Sequence, residues 1–278
     1  MNGAPCIEEI ILRYPERGMD LLAPHLPPDF CHQAAQAVLA LPRGVVLLTT
    51  GFYVRGFAET DGPSGTWAVA KALERLGFHP VIVVDELCRG YFEPEGLETV
   101  YVPYDTEDAF LQGLLEQYQP VLLFALERCG INRVGEYMNM HGVSIRHHTA
   151  PIDRLFTLSH GRIPSIGVGD GGNEIGMGSL ADIIAEKLPL CPCTVEVDHP
   201  LIATVSNWGG YGLCAALQQL TVLPLLPTFA QVRDFIARTV ALGSVDGVIG
   251  VPQVTEDGYP LQITEEILDA LKMAAKLQ

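Results

Sequence analysis

Short, almost continuous runs of apolar residues alternate along the chain with amphipathic stretches of helical period. Apolar runs of this kind are typical of strands that are buried on both faces of a parallel sheet. We predict six strands and, with a weaker pattern, a seventh; they cover residues 45–50, 80–84, 99–103, 120–125, 163–168, 201–205 and 247–251.

Helices are predicted between these strands. Side chains of Asp, Ser, Thr and Asn cap helices by accepting hydrogen bonds from free backbone N–H groups, and such residues open most of the amphipathic stretches. The predicted helices are 30–41 after Asp29, 64–76 from Ser64 or Gly65, 106–118 with Thr106 as cap, 179–188 with Ser179 as cap, 207–220 from Asn207, 229–242 and 263–277. Strands that alternate with helices predict a three-layer α/β/α fold, Rossmann-like, with a mostly parallel sheet and right-handed crossovers.

The chain shows no internal division. No repeat with a period of about 20–50 residues interrupts it, and no low-complexity linker does. We therefore expect a single α/β domain over residues 1–278.

The composition narrows the classes of partner. Of the 278 residues 48% are apolar, and 17 Lys and Arg stand against 33 Asp and Glu, for a formal net charge of −16. This acidic balance argues against nucleic acid and against an anionic membrane surface, because both are bound through Lys and Arg. The longest apolar runs are far shorter than the roughly 18 residues that a membrane-spanning helix needs. An acidic protein more often recruits a cation, and an anion through that cation.

Two features bear on the compartment. The first acidic residues precede the first basic one, Arg13, which fits neither a signal peptide nor an Arg-rich transit peptide. The seven cysteines are scattered and odd in number, which is typical of reduced proteins, and we expect the lone pair Cys191 and Cys193 to be structural. We therefore expect a cytoplasmic protein.

The segment 49–65, TTGFYVRGFAETDGPSG, leads from a predicted strand into a predicted helix. In parallel α/β sheets, ligands bind at the carboxyl ends of the strands, where such segments lie. Free N–H groups at the helix start near Gly65 favour an anion, and Glu59, Thr60 and Asp61 come just before it. The alternative is an exposed acidic turn with an Asp-Gly-Pro bend.

The segment 165–179, SIGVGDGGNEIGMGS, is the most informative. Its glycines match the G-x-G-x-x-G pattern of dinucleotide-binding turns, but Asp170 and Glu174 would repel a pyrophosphate. A tight glycine turn that presents Asp170, Asn173 and Glu174 together is the better interpretation, with a purely structural turn as the alternative. Oxygen ligands of this kind suit a hard divalent ion such as Mg²⁺ or Mn²⁺.

A third segment, LERCGINRVGEYMNMHG at 126–142, also follows a predicted strand. Glu127 and Arg128 fall at the carboxyl end of that strand, and the guanidinium of Arg128 could hold a substrate carboxylate in a bidentate fork. Further along, Glu136 and Asn139 are three residues apart, as on one face of a helix. A surface pair of Glu127 and Arg128 is the structural alternative.

A fourth segment, SNWGGYG at 206–212, again joins a strand to a helix. Asn207 is either a helix cap or a ligand for a substrate. The chain has no G-x-S-x-G elbow and no convincing Cys–His pairing, so covalent nucleophilic catalysis is not expected.

Together, TGF…ETDGPSG, GEYMNMHG, GVGDGGNEIGMGS and VSNWGGYG resemble the C-terminal domain of D-glutamate cyclase, in the form in which that domain stands alone. The resemblance extends from about residue 49 to about residue 220, and GDGGNEIGMG is its most specific part. It implies a metal-aided carbon–oxygen lyase, a hydro-lyase that closes D-glutamate to 5-oxo-D-proline with loss of water. Larger members of the family carry a separate N-terminal domain similar to hydro-lyases and a mitochondrial address. The resemblance does not decide which of the two domains carries the chemistry.

For such a reaction we expect four candidate metal ligands and three catalytic residues. A divalent ion, Mn²⁺ or Mg²⁺, held by Asp170 and Glu174 with Glu59 or Asp61, would polarise the γ-carboxylate. Glu127 would take the ammonium proton and return it to the leaving oxygen, and Asp170 and Glu174 complete the catalytic set.

The expected substrate is a small acidic amino acid or a related anion. We expect it to be bound by Thr60, Gly65, Arg128, Asn139, Asn173 and Asn207. The alternatives are a metal-dependent hydrolase or phosphate-handling enzyme acting on a small anion, and a non-catalytic ligand-binding module. The sequence leaves a homo-oligomer open.

Overall fold

The computed structural model describes residues 5–276 and is built around a central parallel sheet. Six of its strands form this sheet, and four short ones form two antiparallel pairs. The strands are β1 Val45–Thr49, β2 Tyr53–Val54, β3 Phe57–Ala58, β4 His79–Val84, β5 Glu98–Tyr101, β6 Leu122–Leu126, β7 Ser165–Gly169, β8 His199–Ile202, β9 Thr255–Glu256 and β10 Tyr259–Pro260.

The order of the central strands is β5-β4-β1-β6-β7-β8, and every neighbouring pair is parallel. The chain therefore starts in the middle of the sheet at β1, builds outward to β5, and crosses back to build outward from β6. This is the doubly wound order of Rossmann-like folds, whose switch point lies between the two innermost strands. The predicted fold class, α/β with a parallel sheet, is confirmed.

Helices cover both faces of this sheet, because right-handed crossovers that lead in opposite directions along a sheet place their helices on opposite faces. Helix α8 (Ser206–Thr221) packs against α3 (Phe30–Ala40) and α4 (Pro63–Arg75) on one face, and α5 (Asp108–Tyr118) packs against α6 (Arg154–Ser159) on the other. The α-helices of residues 5–276 are α1 Ile7–Ile11, α2 Met19–Leu22, α3 Phe30–Ala40, α4 Pro63–Arg75, α5 Asp108–Tyr118, α6 Arg154–Ser159, α7 Ala181–Lys187, α8 Ser206–Thr221, α9 Phe229–Ala241 and α10 Leu261–Ala274.

The six strongly patterned strands and the seven helices form close to their predicted positions, but three local predictions are wrong. Residues 247–251 form turns rather than a strand, because the carboxylate of Asp246 accepts hydrogen bonds from the backbone N–H groups of Val248 (3.0 Å) and Ile249 (2.7 Å). Ser179 lies in a 3₁₀ turn before α7, and its hydroxyl donates to the carbonyl of Val197 instead of capping the helix. Thr106 lies one residue before the actual cap of α5.

Close helix packing beneath the sheet depends on small residues. A Cβ on Gly210 of α8 would come within 3.0 Å of the Cα of Gly65 in α4. The missing side chains let the two helices approach backbone to backbone, which brings the start of α8 to the carboxyl edge of the sheet. Within residues 5–276, the helices are all too short or too polar to cross a lipid bilayer.

Candidate active site

The candidate site lies at the carboxyl ends of β1, β6 and β7, around the switch point of the sheet. A cavity of about 440 Å³ opens there. In doubly wound folds the loops diverge at this point and leave a crevice for a ligand. The ionisable side chains that line its deeper part are Arg17, Glu59, Glu127, Asp170, Glu174 and Asp257.

Three carboxylates form the floor of the site: Glu127 and Asp170 line the cavity, and Asp61 lies beside them but outside its lining. One oxygen each of Asp61, Glu127 and Asp170 lies within 4.8 Å of the others, and all three residues are buried. Burial, joined by repulsion between neighbouring carboxylates, raises the pKa of each well above its usual value. Carboxylates this close remain together when they share protons or hold a cation.

Asp61 is held by the start of α8. Its carboxylate accepts hydrogen bonds from the N–H groups of Gly62 (2.8 Å), Ser206 (2.9 Å) and Asn207 (2.7 Å). The positive end of a helix dipole stabilises a carboxylate at this position. Asp61 thus keeps a fixed orientation in spite of its burial.

Glu127 lies directly after β6 with a left-handed backbone, at φ 48°. Its carboxylate accepts a hydrogen bond from the hydroxyl of Ser206 at 2.6 Å. Positive φ is rare for residues other than glycine, and it is tolerated mainly where a site requires it. Four of the seven such residues in the described chain line this cavity, namely Arg17, Arg55, Glu127 and Asp257.

Arg17 and Asp257 are site residues that sequence reasoning missed. The guanidinium of Arg17 lies 2.6 Å from the carboxylate of Asp170, also pairs with Asp257, and donates to the carbonyl of Thr204 at 3.1 Å. Its positive charge lowers the pKa of Asp170, although burial outweighs this effect. Neither residue belongs to a motif, so the sequence offers no signal for either.

The glycine turn after β7 presents Asp170 as predicted, but Glu174 faces its own turn. The carboxylate of Glu174 accepts hydrogen bonds from the N–H groups of Gly171 (2.8 Å) and Gly172 (2.7 Å). A Cβ on Gly169 would come within 2.7 Å of this carboxylate, which explains why glycine is needed there. Glu174 lines the cavity and at the same time stabilises the turn.

Thr60, Gly65 and Asn207, predicted to bind substrate, lie outside the lining of the cavity. The side-chain oxygen of Asn207 accepts from the N–H groups of Gly62 (3.0 Å) and Gly65 (2.6 Å), and its amide nitrogen donates to the carbonyl of Thr60 (3.1 Å) and to Glu256 (2.7 Å). The start of α4 is therefore capped by a side chain from α8, which accepts from two of the N–H groups that the sequence predicts as an anion site.

Arg128 is likewise engaged elsewhere. It is buried, its guanidinium lies 2.7 Å from the carboxylate of Asp85, and it donates to the carbonyls of Gly51 (2.9 Å) and Ala150 (2.7 Å). These bonds tie together three loops beside the site. The guanidinium is not free to form the predicted fork with a substrate carboxylate.

Asn139 and Asn173 do line the cavity, but the helix expected around Asn139 is absent. Residues 132–145 form turns, and the side-chain oxygen of Asn139 accepts from the N–H groups of His141 and Val143, both at 3.0 Å. The amide nitrogen of Asn173 donates to the carbonyl of Met138 at 2.8 Å and fastens this loop over the site. Glu136 does not share a helical face with Asn139.

The mouth of the cavity carries the remaining basic and aromatic groups. The ring of His148 stacks on that of Tyr53, with centroids 4.2 Å apart and planes inclined by 7°. Arg55 reaches across the opening and donates to the carbonyl of Gly250 at 3.5 Å. His148 thus contributes its ring to the lining of the site.

The donor set at the floor fits a hard divalent cation. An ionised carboxylate has two oxygens with about four lone-pair positions, so the backbone N–H bonds of Asp61 and Asp170 leave acceptor capacity on both. Oxygen ligands of this kind are what Mg²⁺ and Mn²⁺ prefer. Asp61 and Asp170 would hold the cation with Glu127 beside them, because one oxygen of each lies within 4.8 Å of the others; Glu174 is not part of this group.

Fold and site together define a Rossmann-like α/β protein with a buried acidic cavity at the switch point of its sheet. Residues 7–272 match the family described as D-glutamate cyclase-like, C-terminal, and the chain belongs to this family. A relative, D-glutamate cyclase, mitochondrial, from Homo sapiens, is 34% identical over 209 residues. The match covers 62% of this chain and 32% of the relative, so it spans about a third of the relative's length.

Solved structures show weaker likeness. A tRNA N6-threonylcarbamoyladenosine dehydratase from E. coli, in complex with AMP, is 13% identical, with 68% of this chain and 89% of that chain covered and a TM-score of 0.30. A 3-ketoacyl-(acyl-carrier-protein) reductase from Brucella melitensis, complexed with NADH, is 14% identical, with 55% and 73% covered and a TM-score of 0.28. At these TM-scores, nothing about this chain follows from either.

Proposed function

We propose that the chain catalyses the dehydrating cyclisation of D-glutamate to 5-oxo-D-proline, the reaction of a carbon–oxygen lyase. The observation that carries the proposal is the buried cluster of Asp61, Glu127 and Asp170 at the switch point of the sheet. Membership of the D-glutamate cyclase-like family supplies the substrate. The relative is about three times as long as the part that matches this chain, so we transfer its activity to this chain only as a proposal.

Ring closure requires proton transfer within a small space. The α-nitrogen of D-glutamate attacks the γ-carboxyl carbon, the bond from that carbon to one oxygen breaks, and both protons that the ammonium loses leave with this oxygen as water. A carboxylate that accepts a proton from nitrogen and donates it to oxygen serves both steps. Burial and the charges of Glu174 and Asp61 raise the pKa of Glu127, which makes it a suitable proton carrier.

The surroundings of Glu127 support this role. The hydroxyl of Ser206 fixes one carboxylate oxygen at 2.6 Å, and the left-handed backbone turns the side chain into the cavity. The substrate ammonium is attracted to the acidic floor, and Asp170 is kept in place by Arg17. Holding nitrogen and carboxyl carbon in contact within a closed cavity supplies much of the rate enhancement.

The same floor suits a divalent cation, Mn²⁺ or Mg²⁺, with Asp61 and Asp170 as its ligands. When bound, the cation supplies Lewis-acid polarisation of the γ-carboxylate. The predicted ligands Glu59 and Glu174 would then contribute charge from the cavity wall.

Proton NMR of D-glutamate incubated with the purified chain and Mn²⁺ tests the proposal through the appearance of 5-oxoproline. Glu127→Gln keeps the shape but cannot carry a proton, so we expect turnover to fall by about 10²–10⁴-fold. Glu116→Gln, at an exposed position on α5, is the matched control and should retain full turnover. Absence of 5-oxoproline with wild-type protein and either cation, or full activity of Glu127→Gln, would contradict the proposal.

A further inference from the structure

The cavity is larger than free glutamate needs. Its volume of about 440 Å³ falls within the range of about 300–1,000 Å³ found for sites that enclose drug-sized ligands. Glutamate is far smaller than such ligands. A substrate that fills the cavity therefore extends beyond the acidic floor towards the mouth.

The outer part of the cavity is apolar. Phe52, Met140, Val143 and Val248 line it, and the last three keep 40%, 58% and 58% of their surface exposed. Exposed apolar side chains gathered around one opening mark a binding surface more often than scattered single ones do. An apolar or aromatic group on the substrate would cover these side chains, and the stacked rings of Tyr53 and His148 lie at the same opening.

An amide at the γ-carboxyl carries one negative charge less into this cavity than free glutamate does. The lining holds five carboxyl groups, Glu59, Glu127, Asp170, Glu174 and Asp257, and two arginines, Arg17 and Arg55. Arg17 is already paired with Asp170 and Asp257. Each of these carboxyl groups that is ionised repels a substrate carboxylate, so the amide meets less repulsion than free glutamate.

From the volume, the apolar outer wall and the smaller charge of an amide we infer that the site also accepts a second class of substrate, a D-glutamyl compound whose γ-carboxyl forms an amide with an apolar or aromatic amine. This inference rests on the proposed function, because it places the same ring closure at the same floor. The α-amine must remain free to attack, so the extension is attached at the carboxyl group that reacts.

The chemistry balances without water. The neutral α-nitrogen attacks the γ-carbonyl carbon, and the bond from this carbon to the amide nitrogen breaks. One proton passes from the attacking nitrogen to the leaving nitrogen through Glu127. The products are 5-oxo-D-proline and the free amine, and no group is oxidised or reduced.

γ-D-Glutamyl-p-nitroanilide is the probe, because the released p-nitroaniline is measured by its absorbance and 5-oxoproline by NMR. The full chain with Mn²⁺ is given this compound, its L enantiomer, the corresponding α-anilide, D-glutamine and D-glutamate. We expect kcat/KM for the γ-D-anilide to exceed that for D-glutamine by at least about tenfold, the value of one well-buried apolar group. We expect the L enantiomer to react more slowly. We expect the same of the α-anilide, whose ring closure would release water, keep the anilide and give 5-oxoproline p-nitroanilide, which NMR detects.

Variants at the outer wall link the preference to the apolar surface. Val143→Asp and Val248→Asp should lower the ratio of kcat/KM for the γ-D-anilide over D-glutamine by about tenfold. Val134→Asp is the matched control: Val134 lies in the same loop as Val143, is 64% exposed and does not line the cavity, so its ratio should equal that of wild type.

The outcomes separate the two ideas. If D-glutamate is cyclised and the γ-D-anilide is not, or if the α-anilide is preferred, the inference is overturned and the proposed function stands. Equal ratios in wild type and both outer-wall variants also overturn the inference. If D-glutamate yields no 5-oxoproline, the proposed function itself fails, whatever the amides do.

Discussion

Replacing Arg17 with methionine tests whether a single cation holds the acidic floor together. Removal of one partner of a buried ion pair costs about 3–5 kcal/mol, because the other charge stays buried and unpaired. Arg17 pairs with both Asp170 and Asp257, but 18% of its side chain is exposed, so we expect the lower end of this range, about 3 kcal/mol at about pH 8.

The loss should depend on pH with a definite sign. Burial raises the pKa of Asp170, and the charge of Arg17 lowers it; without Arg17 the folded-state pKa rises further above that of the unfolded chain. A group with a raised folded-state pKa stabilises the fold at low pH, and this stabilisation is lost as the pH rises through that pKa. Arg17→Met should therefore cost less at about pH 5 than at about pH 8.

Urea unfolding of both proteins at the two pH values, with EDTA present, measures this difference. Arg89→Met is the control, because Arg89 is exposed and forms a surface pair with Glu86; such pairs contribute about 0–1 kcal/mol. Excess Mn²⁺ should raise the free energy of unfolding of the variant by more than that of wild type, because the cation replaces the missing positive charge. A hundredfold excess of a bound cation over its Kd contributes about 2.7 kcal/mol. A loss that is equal at both pH values, or no larger than that of Arg89→Met, would refute the reasoning.

Three further predictions concern the neighbourhood of the site. Asp61→Asn replaces one oxygen that accepts backbone N–H groups with an amide nitrogen, so the free energy of unfolding without metal should fall by about 1–3 kcal/mol. The variant should also lose most of the rise in Tm that Mn²⁺ gives wild type, and an undiminished rise would exclude Asp61 as a ligand. Burial raises the pKa of Glu256 to about 7, so wild type loses stability as the pH rises through this value, whereas Glu256→Gln does not. The free energy of unfolding of the variant relative to wild type should therefore increase by about 3 kcal/mol between about pH 5 and pH 8. Urea unfolding that shows the same difference at both pH values would contradict this. Gly65→Ala places a Cβ 2.9 Å from the Cα of Asn207 and should lower the free energy of unfolding by about 1–3 kcal/mol. Gly113→Ala, on an open face of α5, is the control and should be neutral or stabilising. A lower Tm for Gly113→Ala than for Gly65→Ala would be inconsistent with the close packing of α4 and α8.

The central sheet follows from the sequence because its information is local. A strand covered by helices on both faces must be apolar along its whole length, so each such strand can be recognised from its own residues alone. The failure at 247–251 shows the limit of this rule. Val248, Ile249 and Val251 are as apolar as a strand requires, yet they are exposed. The carboxylate of Asp246 fixes the backbone of Val248 and Ile249 as a turn.

The acidic residues of the site follow from the sequence for a related reason. Parallel strands end at one edge of the sheet, so the sequence predicts that Asp170 and Glu174 lie there with Glu59 or Asp61, and that Glu127 lies nearby. Arg17 was not expected, because it precedes the first strand of the sheet and meets Asp257 across 240 residues. The position of Arg17 depends on how the N-terminal segment packs against the residues around Asp257, near the C-terminal helix.

The start of α4 shows what only the tertiary structure decided. Its sequence indicates free N–H groups that would bind an anion, and within the segment itself this is correct. The glycines at 65 and 210 allow α8 to approach, and the amide of Asn207 then takes the N–H groups that a ligand would have used. Propensity and periodicity act over a few residues and determine which groups form helices and strands. Whether a donor remains free depends on which distant side chain reaches it, and this is decided by packing between elements far apart in sequence.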